Sequence, residues 1–351
     1  MDPVTHFLTG AVLARSGFNR KAAYATLAMT LAAEAPDLDV VWSFRGPVAA
    51  FEHHRGITHT FLAAPFIALI TVAVVWGIHR FRKKPTKAPV RWGLLWCFAL
   101  IATLSHLLLD FTNNYGLRPF YPFNPRWYSW DIVFIVEPLI LIALILALVV
   151  PSILGLADRE IGAKRAVFRG RGWAIAALSF MALLYAVRNG EHDHAINLVR
   201  NTGVVNGRIL CIAAQPYPIN PFRWYVITET PDFYQTEWVY TRADRIDTDT
   251  DQTIYKPEVT KAVAAAKQSY LGKVYLDWAK FPITEDKGPI APPGYDVDPP
   301  QRNWHTVQFR DLRFGYPVFS FRPSDSVLSG WVYVGPQNEI EGLFMSGKEQ
   351  N

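Results

Sequence analysis

Cysteine is nearly missing from this sequence. Cys97 and Cys211 are the only two among 351 residues, which excludes a disulfide framework and argues against a thiolate metal site. The first ten residues also lack a basic segment followed by an apolar core, so we expect no cleaved signal peptide. Insertion into a membrane would then depend on internal apolar segments.

Excess positive charge is scarce outside two short segments. The formal net charge is +5, but residues 79–91 alone contain six Lys or Arg and no acid, and residues 158–171 contain five against two acids. The rest of the chain is therefore slightly acidic, and we expect no nucleic-acid partner. Local basic loops of this kind indicate membrane topology instead.

Long apolar segments are abundant, since 50% of the residues are hydrophobic. Four of them have about the ~20 residues that a helix needs to cross ~30 Å of hydrocarbon. They are residues 60–78, 92–111, 132–153 and 172–188. Two shorter Ala-rich segments, residues 7–18 and 21–35, predict a helical hairpin that dips into the membrane or packs on the bundle.

The positions of the basic loops orient these spans. Short loops rich in Lys and Arg stay cytoplasmic, so residues 79–91 and 158–171 are predicted to lie inside. Residues 51–59, the segment after Asp110 and everything beyond residue 190 then share the periplasmic or extracellular side. We expect the protein in the inner (cytoplasmic) membrane of a bacterium, in contact with membrane lipid.

The composition changes beyond residue 190. Segments such as "FRWYVITET" and "YQTEWVYTR" alternate apolar and polar residues between turn signals, as half-buried strands do. We therefore predict an α-helical membrane bundle of about four spanning helices plus a short N-terminal hairpin (residues 1–189). A mostly antiparallel β extracytoplasmic domain follows (residues 190–351).

Histidine is scarce, nine residues in all, but six lie in the first third of the chain, and all of these except His79 of the basic loop accompany Asp37, Asp39 and Asp110. His106 and Asp110 are four apart in the second predicted span, so their side chains leave one face of a helix one turn apart. A hydrogen-bonded polar pair would have the same spacing. Inside a span, however, ionisable groups are costly, and this favours a functional role.

The other segments also have structural interpretations. "HHRGITH" fits a polar loop between two helices, with Arg55 near lipid phosphate, and Asp37 with Asp39 fits a cap and a solvated turn after a helix-ending proline. Four separate segments nevertheless supply His or Asp, and topology predicts at least three of them at one membrane face. Because these donors are nitrogen and oxygen without sulfur, they suit one to three divalent ions, most of all zinc, with manganese or iron as alternatives.

Four motifs in order resemble a known family: "MDPVTHFLTGAVLAR", "APDLDVVW", "HHRGITHTF" and "SHLLLDFTNNYGLRPFYPF". They resemble the bacterial inner-membrane metal-dependent hydrolases that are also described as LexA-binding and membrane-associated, over about residues 1–150. The resemblance implies metal ligands at matching positions, with Asp39 and His53 as further members. These ligands are His6, Asp37, His54, His59, His106 and Asp110.

The pattern is also similar, more weakly, to zinc-dependent phospholipase C. This similarity implies phosphoester hydrolysis with a lipid or other small-molecule substrate, and makes Arg55 and Arg118 candidate phosphate contacts. We assign Asp39, His53 and Arg55 to catalysis. If Asp110 bridged two cations ~3.5 to 4 Å apart, they would activate a water and clamp both the attacking and leaving oxygens.

The predicted function is therefore a membrane-integral hydrolase that uses a metal-activated water at the outer membrane face. Two alternatives stay open. One is a non-catalytic membrane protein with a structural metal site and a partner-binding β domain. The other is a transporter, which the sequence supports less because it shows no inverted repeat. The LexA-binding description fits poorly with motifs that face away from the cytoplasm, and the sequence identifies no protein partner.

Overall fold

The computed structural model describes residues 1–82, 85–86, 88–160, 169–203, 205, 207–291, 304–315 and 328–350. The chain forms two compact units. The first contains Met1–Leu38, Arg55–Asp193 and Pro216–Phe222, and the second contains Asp39–His54, His194–Gln215 and Arg223–Asn351. A functional division after residue 189 stays a prediction, and residues 83, 84, 87 and 161–168 of the two basic loops lie outside the described residues.

The described part of the chain contains both helices and strands. The helices are α1 (Pro3–Arg15), α2 (Ala25–Glu34), α3 (Pro47–His53), α4 (Ala64–Phe81), α5 (Trp92–Thr112), α6 (Pro138–Glu160), α7 (Arg171–Thr202), α8 (Lys261–Gln268) and α9 (Tyr270–Trp278). The strands are β1 (Cys211–Pro216), β2 (Arg223–Glu229), β3 (Phe233–Tyr240), β4 (Arg245–Tyr255), β5 (Pro282–Asp286), β6 (His305–Asp311), β7 (Gly330–Val334), β8 (Ile340–Met345) and β9 (Lys348–Glu349).

The four predicted spans are confirmed. Ala64–Phe81, Trp92–Thr112, Pro138–Asp158 and Arg171–Thr202 are long and apolar enough to cross a membrane. Several boundaries differ from the prediction, among them the start of the third helix and the end of the fourth. The third helix begins at Pro138 because the apolar residues before it bond to the end of α5, where the amide of Ile132 donates to the carbonyl of Thr112. The fourth continues to Thr202, past the point where its sequence becomes polar.

The first two helices pack closely because their contact residues are small. In α1, Asp2 caps the first turn by accepting from the amide of Thr5, and Pro3 occupies the first helical position. A side chain at Gly10 would meet the carbonyl oxygen of Met29 at 2.6 Å and the Cβ of Ala33 at 2.8 Å. Because Gly10 has no Cβ, α1 can pack directly against the backbone of α2.

A buried ion pair joins the start of α6 to α7. The guanidinium of Arg188 lies 2.7 Å from a carboxylate oxygen of Glu137, and both side chains are fully buried. Glu137 also accepts from the amide of Ile219 at 3.1 Å, and Arg188 donates to the carbonyl of Tyr217. Glu137 is thus held by Arg188 and by the loop that contains Tyr217 and Ile219.

The second unit contains two antiparallel sheets, with strand orders β1-β2-β3-β4 and β5-β6-β7-β8-β9. This confirms the predicted β-rich region after the membrane helices. The interior of β2 is buried on both faces, which differs from the predicted half-buried alternation. Trp224 and Val226 pack with Ala195 and Val199 at the end of α7, while Tyr225 on the other face contacts Trp238.

Candidate metal centre

Four donor atoms from three parts of the first unit converge on one point. They are Asp37 Oδ1, His59 Nε2, His106 Nε2 and Asp110 Oδ2, and all lie within 4.8 Å of one another. His59 Nε2 is 3.0 Å from His106 Nε2, 3.3 Å from Asp37 and 3.3 Å from Asp110. His106 Nε2 is 3.6 Å from Asp37 and 3.3 Å from Asp110.

These separations fit a tetrahedral metal ion. Zinc bonds of ~2.0 to 2.2 Å to nitrogen and oxygen place neighbouring tetrahedral ligands about 3.3 to 3.6 Å apart. Three of the four side chains are completely buried, and Asp37 is 17% exposed. Within the described residues, Asp110 Oδ2 has no hydrogen-bond partner. A bound cation would satisfy this orphaned buried oxygen, so the donor set fits a divalent metal.

The backbone of α2 fixes the orientation of His106. Nδ1 of His106 lies 2.6 Å from the carbonyl oxygen of Ala33. A carbonyl only accepts, so Nδ1 carries the proton and the neutral ring directs an unprotonated Nε2 at the other donors. This contact is the supporting hydrogen bond that metal-ligating histidines usually make through their second nitrogen.

Short helical turns after α2 and α3 position the other two ligands. Ala35 follows the end of α2 and begins the 3-10 segment Ala35–Arg45, which carries Asp37, and His59 ends the 3-10 turn Ile57–His59. Nδ1 of His59 is 3.0 Å from the hydroxyl of Thr58, so its Nε2 faces the centre. Burial raises the pKa of the Asp37 carboxyl, but the hydrogen bond with His59 and the nearby His106 and His6 lower it by more, so the net pKa is below its ordinary value.

The second oxygen of Asp110 faces the protein's own positive charges. Arg55 Nη2 lies 2.8 Å from Asp110 Oδ1, and the amino group of Met1 also contacts that oxygen. The same guanidinium donates to Asn113 Oδ1 and to the carbonyl of Gly116, each at 3.1 Å. Oδ2 of Asp110 is therefore the oxygen that faces the other candidate ligands, while Oδ1 forms ion pairs with Arg55 and the Met1 amino group.

His6 lies against the centre but outside the four-donor group. Its ring stacks on His106 with 3.7 Å between centroids, and its Nε2 is 3.3 Å from Asp110 Oδ1. Burial, and then the neighbouring Met1 ammonium, lower the pKa of His6 to about 3. The ring is therefore neutral at physiological pH.

Three further predicted site residues, Asp39, His53 and His54, belong to the second unit. His54 Nδ1 lies 3.3 Å from Asp39 Oδ1, so these two pair with each other. His53 packs edge-on against Trp42 with 3.8 Å between ring centroids. The roles of His54 as a ligand and of Asp39 and His53 in catalysis stay predictions.

Arg118, the other predicted phosphate contact, is held by aromatic rings. Its guanidinium carbon lies 4.6 Å from the ring centre of Trp127 and 5.3 Å from that of Tyr121. Tyr115, which is buried, packs between this group and Arg55 by contacting the Trp127 ring and the Arg55 guanidinium. Packing is therefore the role that the structure gives Tyr115.

Sequence reasoning missed Glu34. This residue ends α2 three positions before Asp37, and its Oε2 is buried without a hydrogen-bond partner in the described part of the chain. Burial, followed by the charges of Asp37 and Asp2, raises the pKa of Glu34 to about 7. The available signal was its spacing, since a carboxylate three residues before a ligand reaches the same side of a helical turn.

Comparison with known proteins agrees with the membrane architecture. Residues 1–194 match the family model described as YdjM inner membrane protein. The chain belongs to this family. It is also 27% identical over 158 residues to the uncharacterized protein YfhP of Bacillus subtilis (strain 168).

That match covers 43% of this chain and 46% of the relative, so the chain spans about half the length of YfhP. No solved structure matches the chain. The family match includes all four candidate ligands and the first three spans, and it ends at residue 194, inside the fourth. The chain is therefore a member of an inner membrane protein family whose matched region contains a candidate metal site.

Proposed function

We propose that this protein is a membrane-integral, metal-dependent hydrolase acting on a phosphoester of a lipid or small molecule. The convergence of Asp37, His59, His106 and Asp110 at tetrahedral ligand distances supports this proposal most directly. Imidazole and carboxylate donors without sulfur are common in hydrolytic zinc sites. Ionisable groups at this depth in an apolar helix also have a cost that a functional role would explain.

Zinc is the proposed ion, with manganese as the alternative. Magnesium and calcium prefer six or more oxygen ligands, whereas two of the four donors here are imidazole nitrogens. We further propose a single ion. Asp110 Oδ1 already faces Arg55 at 2.8 Å, so the guanidinium takes the place that a second, bridged cation would have had.

The surrounding residues support this chemistry in distinct ways. When bound, zinc lowers the pKa of a ligated water and polarises a phosphoryl oxygen. Arg55 fixes the Asp110 carboxylate, and Ala33 fixes the ring of His106. Arg55 is held by Asp110, Asn113 and Gly116, so we propose that its role is to position the metal ligand Asp110. Arg118 is then the remaining candidate phosphate contact.

We propose that the site acts at the periplasmic side of the inner membrane. His106 and Asp110 lie in the last two turns of α5. The basic loop 79–91 precedes the opposite end of that helix. The positive-inside rule assigns this loop to the cytoplasm, so the ligand end of α5 would face outward.

Metal analysis tests the proposal. We expect detergent-purified wild-type protein to contain about one zinc or manganese ion per chain by plasma mass spectrometry, and a His59→Ala, His106→Ala, Asp110→Ala variant to contain none. His79→Ala is the matched control, because that histidine lies at the other end of α4 and bonds to Tyr24. Hydrolysis of bis(p-nitrophenyl) phosphate should disappear together with the metal. Metal retained in the triple variant would refute the site.

One observation favours a second candidate, a structural metal site in a non-catalytic protein. Four protein donors surround the point of convergence and three are completely buried, and closed four-ligand sites are typically structural. Cobalt(II) substitution separates the two functions. An open coordination position would let added inorganic phosphate change the visible spectrum, whereas a closed site would leave it unchanged.

A further inference from the structure

Glu34 is the last residue of α2, a helix whose final carbonyls contact α5 next to the candidate metal centre. The hydroxyl of Thr103 donates to the carbonyl of Ala32 at 3.3 Å, and His106 donates to the next carbonyl, that of Ala33. Glu34 follows immediately and Asp37 lies three residues further on. The end of α2 therefore supports one ligand, presents Glu34 and leads to another ligand.

The carboxyl of Glu34 has one buried oxygen that the described residues leave unsatisfied. Its Oε2 is buried and, in the region that the structure describes, no hydrogen bond reaches it. A buried polar atom without a partner costs free energy, and such atoms in native proteins usually indicate a missing water or ion. Asp37 is the ligand closest in sequence and the only one of the four that is partly exposed, so a water at the centre would lie on that side.

The charges around Glu34 suit a proton acceptor. The pKa of Glu34 is raised to about 7. Burial is the main cause, the charges of Asp37 and Asp2 act in the same direction, and the Met1 amino group opposes them. A general base works best when its pKa is near the working pH. An ordinary exposed glutamate, with a pKa near ~4.3, would be a much weaker base.

We propose that Glu34 is the general base of the centre, an inference that rests on the proposed hydrolase function. Glu34 Oε2 takes a proton from the attacking water as one O–H bond breaks and the new O–P bond forms. The P–O bond to the leaving group then breaks. The proton passes from Glu34 to the leaving oxygen, which restores the carboxylate without any further reactant.

The experiment compares Glu34→Gln with wild type and with Glu191→Gln, a partly buried glutamate on α7. We expect all three proteins to bind about one zinc ion. Hydrolysis of bis(p-nitrophenyl) phosphate should fall in Glu34→Gln by about 10²- to 10⁴-fold in kcat with little change in KM, the usual contribution of a general base. Glu191→Gln should keep the wild-type rate.

A second readout is independent of turnover. In cobalt(II)-substituted wild type, the visible spectrum should change with pH near neutrality, where Glu34 and a ligated water would both ionise, and Glu34→Gln should shift the midpoint of this transition. An unchanged rate or an unchanged transition would overturn the role of Glu34, and so would loss of metal, which would make Glu34 a ligand. If wild type binds no metal, the proposed function itself fails.

Discussion

Asp110 is a fully buried carboxylate in a membrane-spanning helix, and its two oxygens have different neighbours. Oδ2 faces the imidazoles of His59 and His106, and Oδ1 faces Arg55. An uncompensated buried charge is strongly destabilising. Arg55 therefore matters most when the metal is absent, because the ion would supply the other positive charge.

Replacing Arg55 with alanine tests this division. We expect metal-free Arg55→Ala to lose about 3–5 kcal/mol of stability, as when one partner of a buried ion pair is removed, and zinc to raise its Tm by more than it raises that of wild type. Arg45→Ala is the control, because Arg45 is exposed and lies over Trp42. Equal zinc-induced shifts in Arg55→Ala and wild type would contradict the prediction.

The raised pKa of Glu34 predicts a pH dependence of stability. Its folded-state pKa is about 7 against an ordinary value of 4.5, so between these values the folded protein holds a proton that the unfolded chain has released. Stability contributed by protonated Glu34 is thus present below pH 4.5 and is lost as the pH rises to about 7.

The measurement is the Tm of metal-free wild type and Glu34→Gln at a series of pH values. The Tm of the variant relative to wild type should rise between pH 4.5 and 7 and stay level outside that window. Because Glu34 is partly exposed, solvent screening makes this effect small. A constant difference across the window would show that Glu34 has an ordinary pKa in the folded state.

Part of the site was predictable from residue spacing. His106 and Asp110 face one side of α5 as their four-residue separation predicts, and the structure brings Asp37 and His59 into one group with them. The Ala33 carbonyl that orients His106 was not predictable, because backbone contacts between distant helices leave no mark on residue type. Glu34 was missed because it has no histidine beside it.

At the scale of elements, α1 and α2 approach each other at Gly10. We expect Gly10→Ala to cost about 1–3 kcal/mol, the usual effect of overpacking, because the new Cβ would clash with the α2 backbone. Metal content should also fall, since the displaced α2 carries Ala33 and leads to Asp37.

Gly77→Ala on α4 is the matched control for this substitution. Among the residues that the structure describes, a Cβ at Gly77 meets no atom within 4 Å, so alanine should be neutral or stabilise the helix by up to about 1 kcal/mol. Thermal unfolding and metal analysis of the two variants check the pair. If Gly10→Ala behaved like Gly77→Ala, the close approach of α1 and α2 would not exist in solution.

Helix boundaries were predictable only where polarity and structure change together. The start of α5 at Trp92 matches the prediction, because a proline-containing basic loop precedes it. The start of α6 does not, since residues 132–136 are apolar, yet Ile132 and Val133 bond to Thr112 at the end of α5 instead of joining the helix. Apolar composition predicts burial, and a tertiary contact decides the conformation.

At the scale of the molecule, the orientation in the membrane is open to a direct test. In a variant with Cys97 and Cys211 replaced by serine, a cysteine at Pro85 should be protected from a membrane-impermeant thiol reagent applied to intact cells with a permeable outer membrane. A cysteine at Gln337, which is exposed in the second unit, should be labelled. The basic loop would then be cytoplasmic, as the positive-inside rule predicts. The reverse labelling pattern would move the candidate site to the cytoplasmic side.

The broad architecture was predictable because spanning helices and strands differ strongly in composition. The assignment of residues 39–54 to the second unit was not. This segment lies between ligands of the first unit in the sequence, but Phe51 packs on Tyr275 and Trp278. Contacts between residues more than 200 positions apart depend on shape complementarity, which one sequence does not reveal.

The order of the ligands along the chain has a consequence for biosynthesis. All four candidate donors lie within the first 110 residues, so the complete set has been translated before the ribosome makes α6, α7 or the sheets. Two of the four spans are enough to supply every ligand. If this candidate centre binds an ion, loading can therefore begin once α5 has left the ribosome and before the polypeptide is complete.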